Sequence, residues 1–392
     1  MIFSVVILLF AGMAVISSCK KTPEAPNALA ADNPFFAEYD TPFQVPPFDI
    51  IKPEHFIPAY EKGMAEEKAE VDALINNADE PNFENTIAAL ARTGKLLSKV
   101  SRVFGGLSGA NTNDELKAIQ KEMSPRLAAH NDEINLNETL FERIKTVYEK
   151  RGELNLDSEQ AYILENQYKG YVRNGANLND EDKAKLMQMN QGISKLGVQF
   201  GQNVLAETND FKLIVENEED LAGLPESSIA EAAEAAKDAG LEGKWVFTTQ
   251  KPSMIPFLMY AENRDLREEL YTGYFKRGDN DNEYDNKKVL SDLIKLRVEK
   301  ANLLGFKTYA DYILESRMAK NSDNVYDLLN RLWDASIPVA KREAKELQSI
   351  IDQEGEGFKL GSWDWWFYAE KLRKEKYDLD DNELRPYFVL AN

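Results

Sequence analysis

Residues 81–110 read PNFENTIAALARTGKLLSKVSRVFGGLSGA, and their reading decides the fold. Ile87, Leu90, Leu97, Val100, Phe104 and Leu107 recur at three-, four- and seven-residue steps, the spacing of an apolar stripe on a helix. Pro81 is expected to open this stretch, and Gly105-Gly106 with Gly109 reads as a helix break, since no Lys-Ser/Thr follows to make a phosphate loop. The same periodicity extends outward on both sides. Helices are predicted over 57–77, 113–130, 138–150, 157–173 and 180–206, with Asn174-Gly175 as a break.

Two short segments interrupt the helical pattern. Phe211–Val215 and Lys244–Thr249 alternate and carry β-branched residues, with an Ala-rich helix at 226–239 between them. A small β insertion is expected around residues 211–249 of a mainly α protein. Beyond 255, Asp285 or Asn286 can cap a helix ending at Leu304-Gly305, and Thr308 with Asp311 has the spacing of a capping box. Val325, Leu328, Leu329 and Leu332 mark one further apolar face, and Ala340, Ala344, Leu347 and Ile351 mark another. The aromatic run Trp363–Tyr368 fits either a ligand groove or a packed corner.

Upstream, residues 33–57 carry five prolines and are expected to form an extended arm that packs on the body through Phe35, Phe36, Phe43 and Phe48. Residues 2–16 are a 15-residue apolar run, short of the roughly 20 that a spanning helix needs. The run precedes Ile16-Ser17-Ser18-Cys19 and resembles the h-region and lipobox of a bacterial lipoprotein, although residues 1–18 hold no Lys or Arg. The other reading is a buried N-terminal helix with an incidental cysteine. On the first reading 1–18 is a signal peptide, Cys19 is lipidated, and 19–40 is a tether and the start of the arm. The protein is then exported and held at the cell envelope by its lipid anchor alone.

The net charge of −20 disfavours nucleic acid. A single cysteine excludes an intrachain disulfide. The two histidines, His55 and His130, have no H-E-x-x-H spacing, and both read as structural: His55 as packed or capping, His130 as a cation at the end of a helix. Glu66, Glu67 and Glu70, like Glu216, Glu218 and Glu219, are expected on solvated faces in a chain with 67 acids.

The order of segments carries more. Asn33-Pro34-Phe35-Phe36, Pro53–Ala59, Asn82–Ile87, Arg173–Leu178, Arg264–Arg277, Leu296–Phe306, Trp363-Asp364-Trp365 and Leu384–Phe388 follow one another as in the M3 family of zinc metallopeptidases. Within that family the chain resembles the peptidyl-dipeptidase, or Dcp, branch. The resemblance implies a bilobed helical fold with a deep channel that admits oligopeptides, and release of dipeptides from their C-termini. Endopeptidase specificity within the family is not separated from this. The family's zinc is held by an H-E-x-x-H helix and a downstream glutamate, and these follow the segment matching Leu384–Phe388. No metal ligand and no catalytic residue can therefore be assigned to a position of this chain, and no zinc is expected in it. On this resemblance 41–235 is an N-terminal helical region and 236–392 the opening part of the peptidase domain. The chain reads as truncated and inactive alone. The competing reading is a non-enzymatic helical lipoprotein that binds peptides or acts as a scaffold.

Overall fold

The computed structural model describes residues 33–377 and Tyr387. The signal segment, Cys19, the first part of the tether and most of Leu384–Phe388 lie outside the described residues.

The arm is built from tight turns at Pro34–Phe36, Pro42–Gln44 and Pro53–His55, each with proline at its start, where a missing N–H costs nothing. Asn33 holds it at both ends: its side-chain oxygen accepts from Phe35 N–H at 3.1 Å, and its amide donates to His55 O at 2.8 Å. Phe35 is buried with its ring 5.2 Å from that of Phe56. The expectation that all four phenylalanines pack is corrected, for Phe43 is fully exposed and Phe48 about half so. Phe43 sits at φ +58 in a turn that points its ring away from the body.

Helix α1 (Phe56–Ile75) packs along α2 (Lys95–Ala110), and Phe56, Tyr60, Val100 and Phe104 close the first core with Leu116, Ile119 and Met123 of α3 (Asp114–Asn135). The opening stretch is not one helix. A wide turn at Phe83–Ala88 ends in a loop, and the chain re-enters helix after Gly94. The predicted break at Gly105-Gly106 is corrected: both lie inside α2, and the break falls at Gly94, φ +69, where a Cβ would strike the Glu67 carboxylate. A second core joins the far half of α1 to α4 (Glu138–Glu149) and α5 (Ser158–Arg173) through Val71, Leu140, Phe141, Ile144 and Leu164.

The spine is α6 (Asp180–Asp210), whose 31 residues span about 46 Å at the ordinary helical rise. It is flanked by α3 on one side and by α10 (Lys287–Leu303) on the other. The approach to α10 is close enough that a Cβ on Gly192 would lie 2.8 Å from Leu296 Cδ1.

The predicted β insertion is present. Strands β1 (Leu213–Val215) and β2 (Trp245–Phe247) pair antiparallel, Leu213 opposite Phe247 and Val215 opposite Trp245. Their buried face meets α7 (Glu226–Asp238), α8 (Lys251–Tyr260) and α9 (Arg264–Phe275), with Phe247, Phe257 and Leu270 at the centre.

After α10, Gly305 turns at φ +84, and Thr308 Oγ1 accepts from Asp311 N–H to start α11 (Tyr309–Leu314), as the spacing predicts. The two expected apolar faces beyond are one element. Helix α12 (Ser322–Glu354) runs unbroken through Pro338, from the Asn321 cap to a left-handed Gly355. Only its last turns, at Leu347 and Ile351, are buried, against Phe367 and Tyr368 of α13 (Trp365–Tyr377). Leu328, Leu329, Leu332 and Trp333 on the other half are each more than half exposed. An apolar face of this kind drives association. In sedimentation velocity the chain is expected to self-associate as concentration rises, and Leu329→Glu with Leu332→Glu is expected to suppress this. A wild-type chain that stays monomeric across the range would show that water tolerates the face. Among the described residues, no helix is long and apolar enough to cross a membrane.

Candidate functional site

Each histidine is committed to a local role. His55 Nδ1 accepts from Lys52 N–H at 3.0 Å and so closes the turn that leads into α1. The expectation that His130 ends a helix is corrected, since α3 continues to Asn135. It is buried, with Nε2 2.7 Å from Glu67 Oε2. Glu70 Oε2 accepts from Gly94 N–H at 2.8 Å. Two of the three acids expected on a solvated face thus tie α1 to its neighbours. Among the described residues, no group of three or more His, Cys, Asp or Glu is arranged to hold a metal. His130 and Glu67 are two donors where a catalytic zinc takes three from the protein, and the His55 lone pair is taken by the backbone. These residues do not fit zinc.

The aromatic run 363–368 is a packed corner. Phe367 and Tyr368 are buried, and the corner is locked by charge. Asp364, fully buried, accepts from Arg267 Nη2 at 3.0 Å on one oxygen and from Arg264 Nη2 at 3.0 Å on the other. Arg267 also donates to Ala261 O at 2.7 Å, and its guanidinium lies 4.0 Å from the centre of the Phe367 ring. Burial draws the Arg267 guanidinium below its ordinary value, and Asp364 opposes that shift.

A second buried acid organises the loop before α10. Glu207 Oε2 accepts from Gly278 N–H, while Oε1 accepts from Asn280 Nδ2 and Asn282 Nδ2, each at 2.7 Å. Burial pushes its carboxyl up, but the three hydrogen bonds together outweigh burial and leave it below the ordinary glutamate value. With both oxygens occupied, Glu207 is a clamp and not a free base. It borders an open cleft of about 690 Å³ lined also by Asp210, Phe211, Glu268, Glu269 and Lys276.

A third polar tie crosses the spine. Lys300 Nζ donates to Asn190 Oδ1 at 2.6 Å, and Asn190 Nδ2 donates to Asp132 Oδ1 at 2.7 Å. Burial lowers Lys300 and raises Asp132, so both charges are held at a cost that the intervening amide reduces. Nearby, α5 and the segment 304–320 enclose a cleft of about 640 Å³. Arg173 stands at its edge, 3.1 Å from Glu315 Oε2 and over the Tyr312 ring. Sequence reasoning did not find these ties. The one available signal was the placing of Arg264, Arg267 and Asp364 within segments that carry the family resemblance.

The amino-acid sequence that builds this helical scaffold has known counterparts. Residues 257–392 match the model of peptidase family M3, so the chain is related to the M3 metallopeptidases, as the sequence resemblance implied. It is 37% identical over 358 residues to dipeptidyl carboxypeptidase of Escherichia coli (strain K12), which covers 91% of this chain and 53% of that protein. Identity to dipeptidyl carboxypeptidase of Salmonella typhimurium is 36% over the same length and shares. Identity to oligopeptidase A of Haemophilus influenzae is 33% over 350 residues, 88% of this chain and 51% of the relative. The chain spans about half the length of the curated relatives it matches.

Proposed function

We propose that these 392 residues are the N-terminal part of an exported zinc metallopeptidase that hydrolyses oligopeptides and releases dipeptides from their C-termini. The observation that carries this reading is the identity of 37% to a dipeptidyl carboxypeptidase, sustained over 91% of the chain. The family's zinc-bound water is activated by a glutamate that belongs to the part of the relatives this chain does not span. By itself the chain is inactive. The region up to residue 235 forms helical walls, and 236–392 begins the peptidase domain. Cys19 carries the lipid that holds the protein at the cell envelope.

The test has two arms. The 392-residue chain, dialysed against zinc, is expected to retain no stoichiometric metal and to leave an N-blocked tripeptide intact. A polypeptide extended to the length of the relatives is expected to release a dipeptide from the same substrate, and to lose this on C-terminal amidation. One zinc per chain with hydrolysis by the 392 residues alone would overturn the first arm. Cleavage indifferent to amidation would replace dipeptide release by endopeptidase action. Labelling with radioactive palmitate, lost in Cys19→Ser, checks the anchor.

A further inference from the structure

Between the arm and α2 lies a cleft of about 680 Å³ whose charge runs against that of the chain. Lys95, Ser98, Lys99 and Arg102 follow one another at i, i+3, i+4 and i+7, so one face of α2 presents all four to the cleft. Glu38 is the single acid among its lining residues, in a chain that carries a net −20. Lys99 builds the opposite wall: its Nζ donates to Phe35 O at 3.2 Å and Ala37 O at 2.6 Å, and it sits 3.8 Å from the centre of the Tyr39 ring. Lys95 and Arg102 are different. Neither has a hydrogen bond or ion pair among the described residues, whereas Arg126 on the neighbouring helix α3 is paired with Glu61 and Glu122. The Tyr39 hydroxyl is buried at the same cleft and has no hydrogen-bond partner among the described residues. Burial raises its pKa, so at neutral pH it keeps its proton and can donate.

We infer that this cleft binds a phosphate monoester, with Lys95 and Arg102 neutralising the dianion, the Ser98 hydroxyl donating to its oxygens, and a small shift of the Tyr39 ring bringing its buried hydroxyl to a further oxygen. Two unpaired cations match a dianion, where a single carboxylate would leave one of them uncompensated. Arg102 adds the planar fork that suits phosphate oxygens. Pro46 and Val103 give the ligand's body an apolar wall. The phosphate can come from a free metabolite or from a lipid headgroup, and the experiment separates the two.

Inorganic phosphate is titrated into the full chain by calorimetry. In parallel, flotation is measured with vesicles of phosphatidic acid and of phosphatidylcholine. The double variant Lys95→Ala, Arg102→Ala and the single variant Tyr39→Phe are compared with wild type, their helical circular dichroism confirming the fold. Saturable phosphate binding, weakened about tenfold or more in the double variant, supports a free ligand. Flotation with phosphatidic acid only, lost in the double variant, supports a headgroup. Tyr39→Phe is expected to weaken either several-fold. No saturable binding to phosphate or phosphatidic acid, or equal binding by wild type and the double variant, overturns the inference.

Discussion

Asp364→Ala is expected to destabilise the aromatic corner by about 3–5 kcal/mol, the cost of breaking a buried ion pair from one side. The reason lies in what remains. Arg267 is 1% exposed and cannot reach water when its partner is removed. Its backbone acceptors at Ala261 and Glu262 compensate only in part. The same change also removes the acceptor of Gly361 N–H and of Arg264, so the turn Ser362–Asp364 loses its hold on α9. Three of the five tryptophans stand at this corner, so urea unfolding followed by tryptophan fluorescence reads it directly. Asp364→Asn keeps the shape but not the charge and is expected to fall between. A loss below about 1 kcal/mol for the alanine variant would mean that the cluster opens to water and that its burial is not a constraint.

Glu207→Gln is expected to cost about 2–3 kcal/mol, because an amide nitrogen must then face one of three N–H donors. The effect carries a pH signature. The native carboxyl lies below its ordinary value, so ionisation favours the folded state. That stability is fully present above the unfolded pKa, about 4.3 for a glutamate, and is lost as pH falls through the lower folded value. The gap between wild type and Glu207→Gln should therefore be constant near neutrality and shrink in acid. A gap that stays the same down to the acid transition would show that Glu207 is held for its shape alone.

What the sequence disclosed was local. Thr308 and Asp311, Gly305, Asn174-Gly175 and the paired segments at 213–215 and 245–247 act within a few residues or through short alternation, and they appear where expected. The errors came where packing or solvent exposure let a helix absorb a poor helix former. Gly105 and Gly106 cost about 1 kcal/mol each in a helix, which the burial of Val100, Val103 and Phe104 offsets. Pro338 removes one helical hydrogen bond, but it lies on an exposed face where water satisfies the freed carbonyl. The buried ties were out of reach for another reason. His130 meets Glu67 across 63 positions and Arg267 meets Asp364 across 97, and no spacing rule joins residues so far apart.

Helix α12 is a cantilever. Its 33 residues extend about 50 Å, yet its apolar grip is confined to the end near Leu347 and Ile351, reinforced by the Glu346–Lys376 and Glu354–Lys371 ion pairs, while at the other end Ser322 Oγ donates to Asp311 Oδ1 at 3.1 Å. At Pro338 the ladder of amides lacks a rung between the held end and the free one. The two ends are therefore expected to open as different units. Amide protons before residue 338 are expected to exchange faster than those after it, which wait for the corner to open, and hydrogen-exchange mass spectrometry checks this. One continuous rod is thus expected to show two lifetimes, a short one for its exposed half and a long one for the half held at the corner.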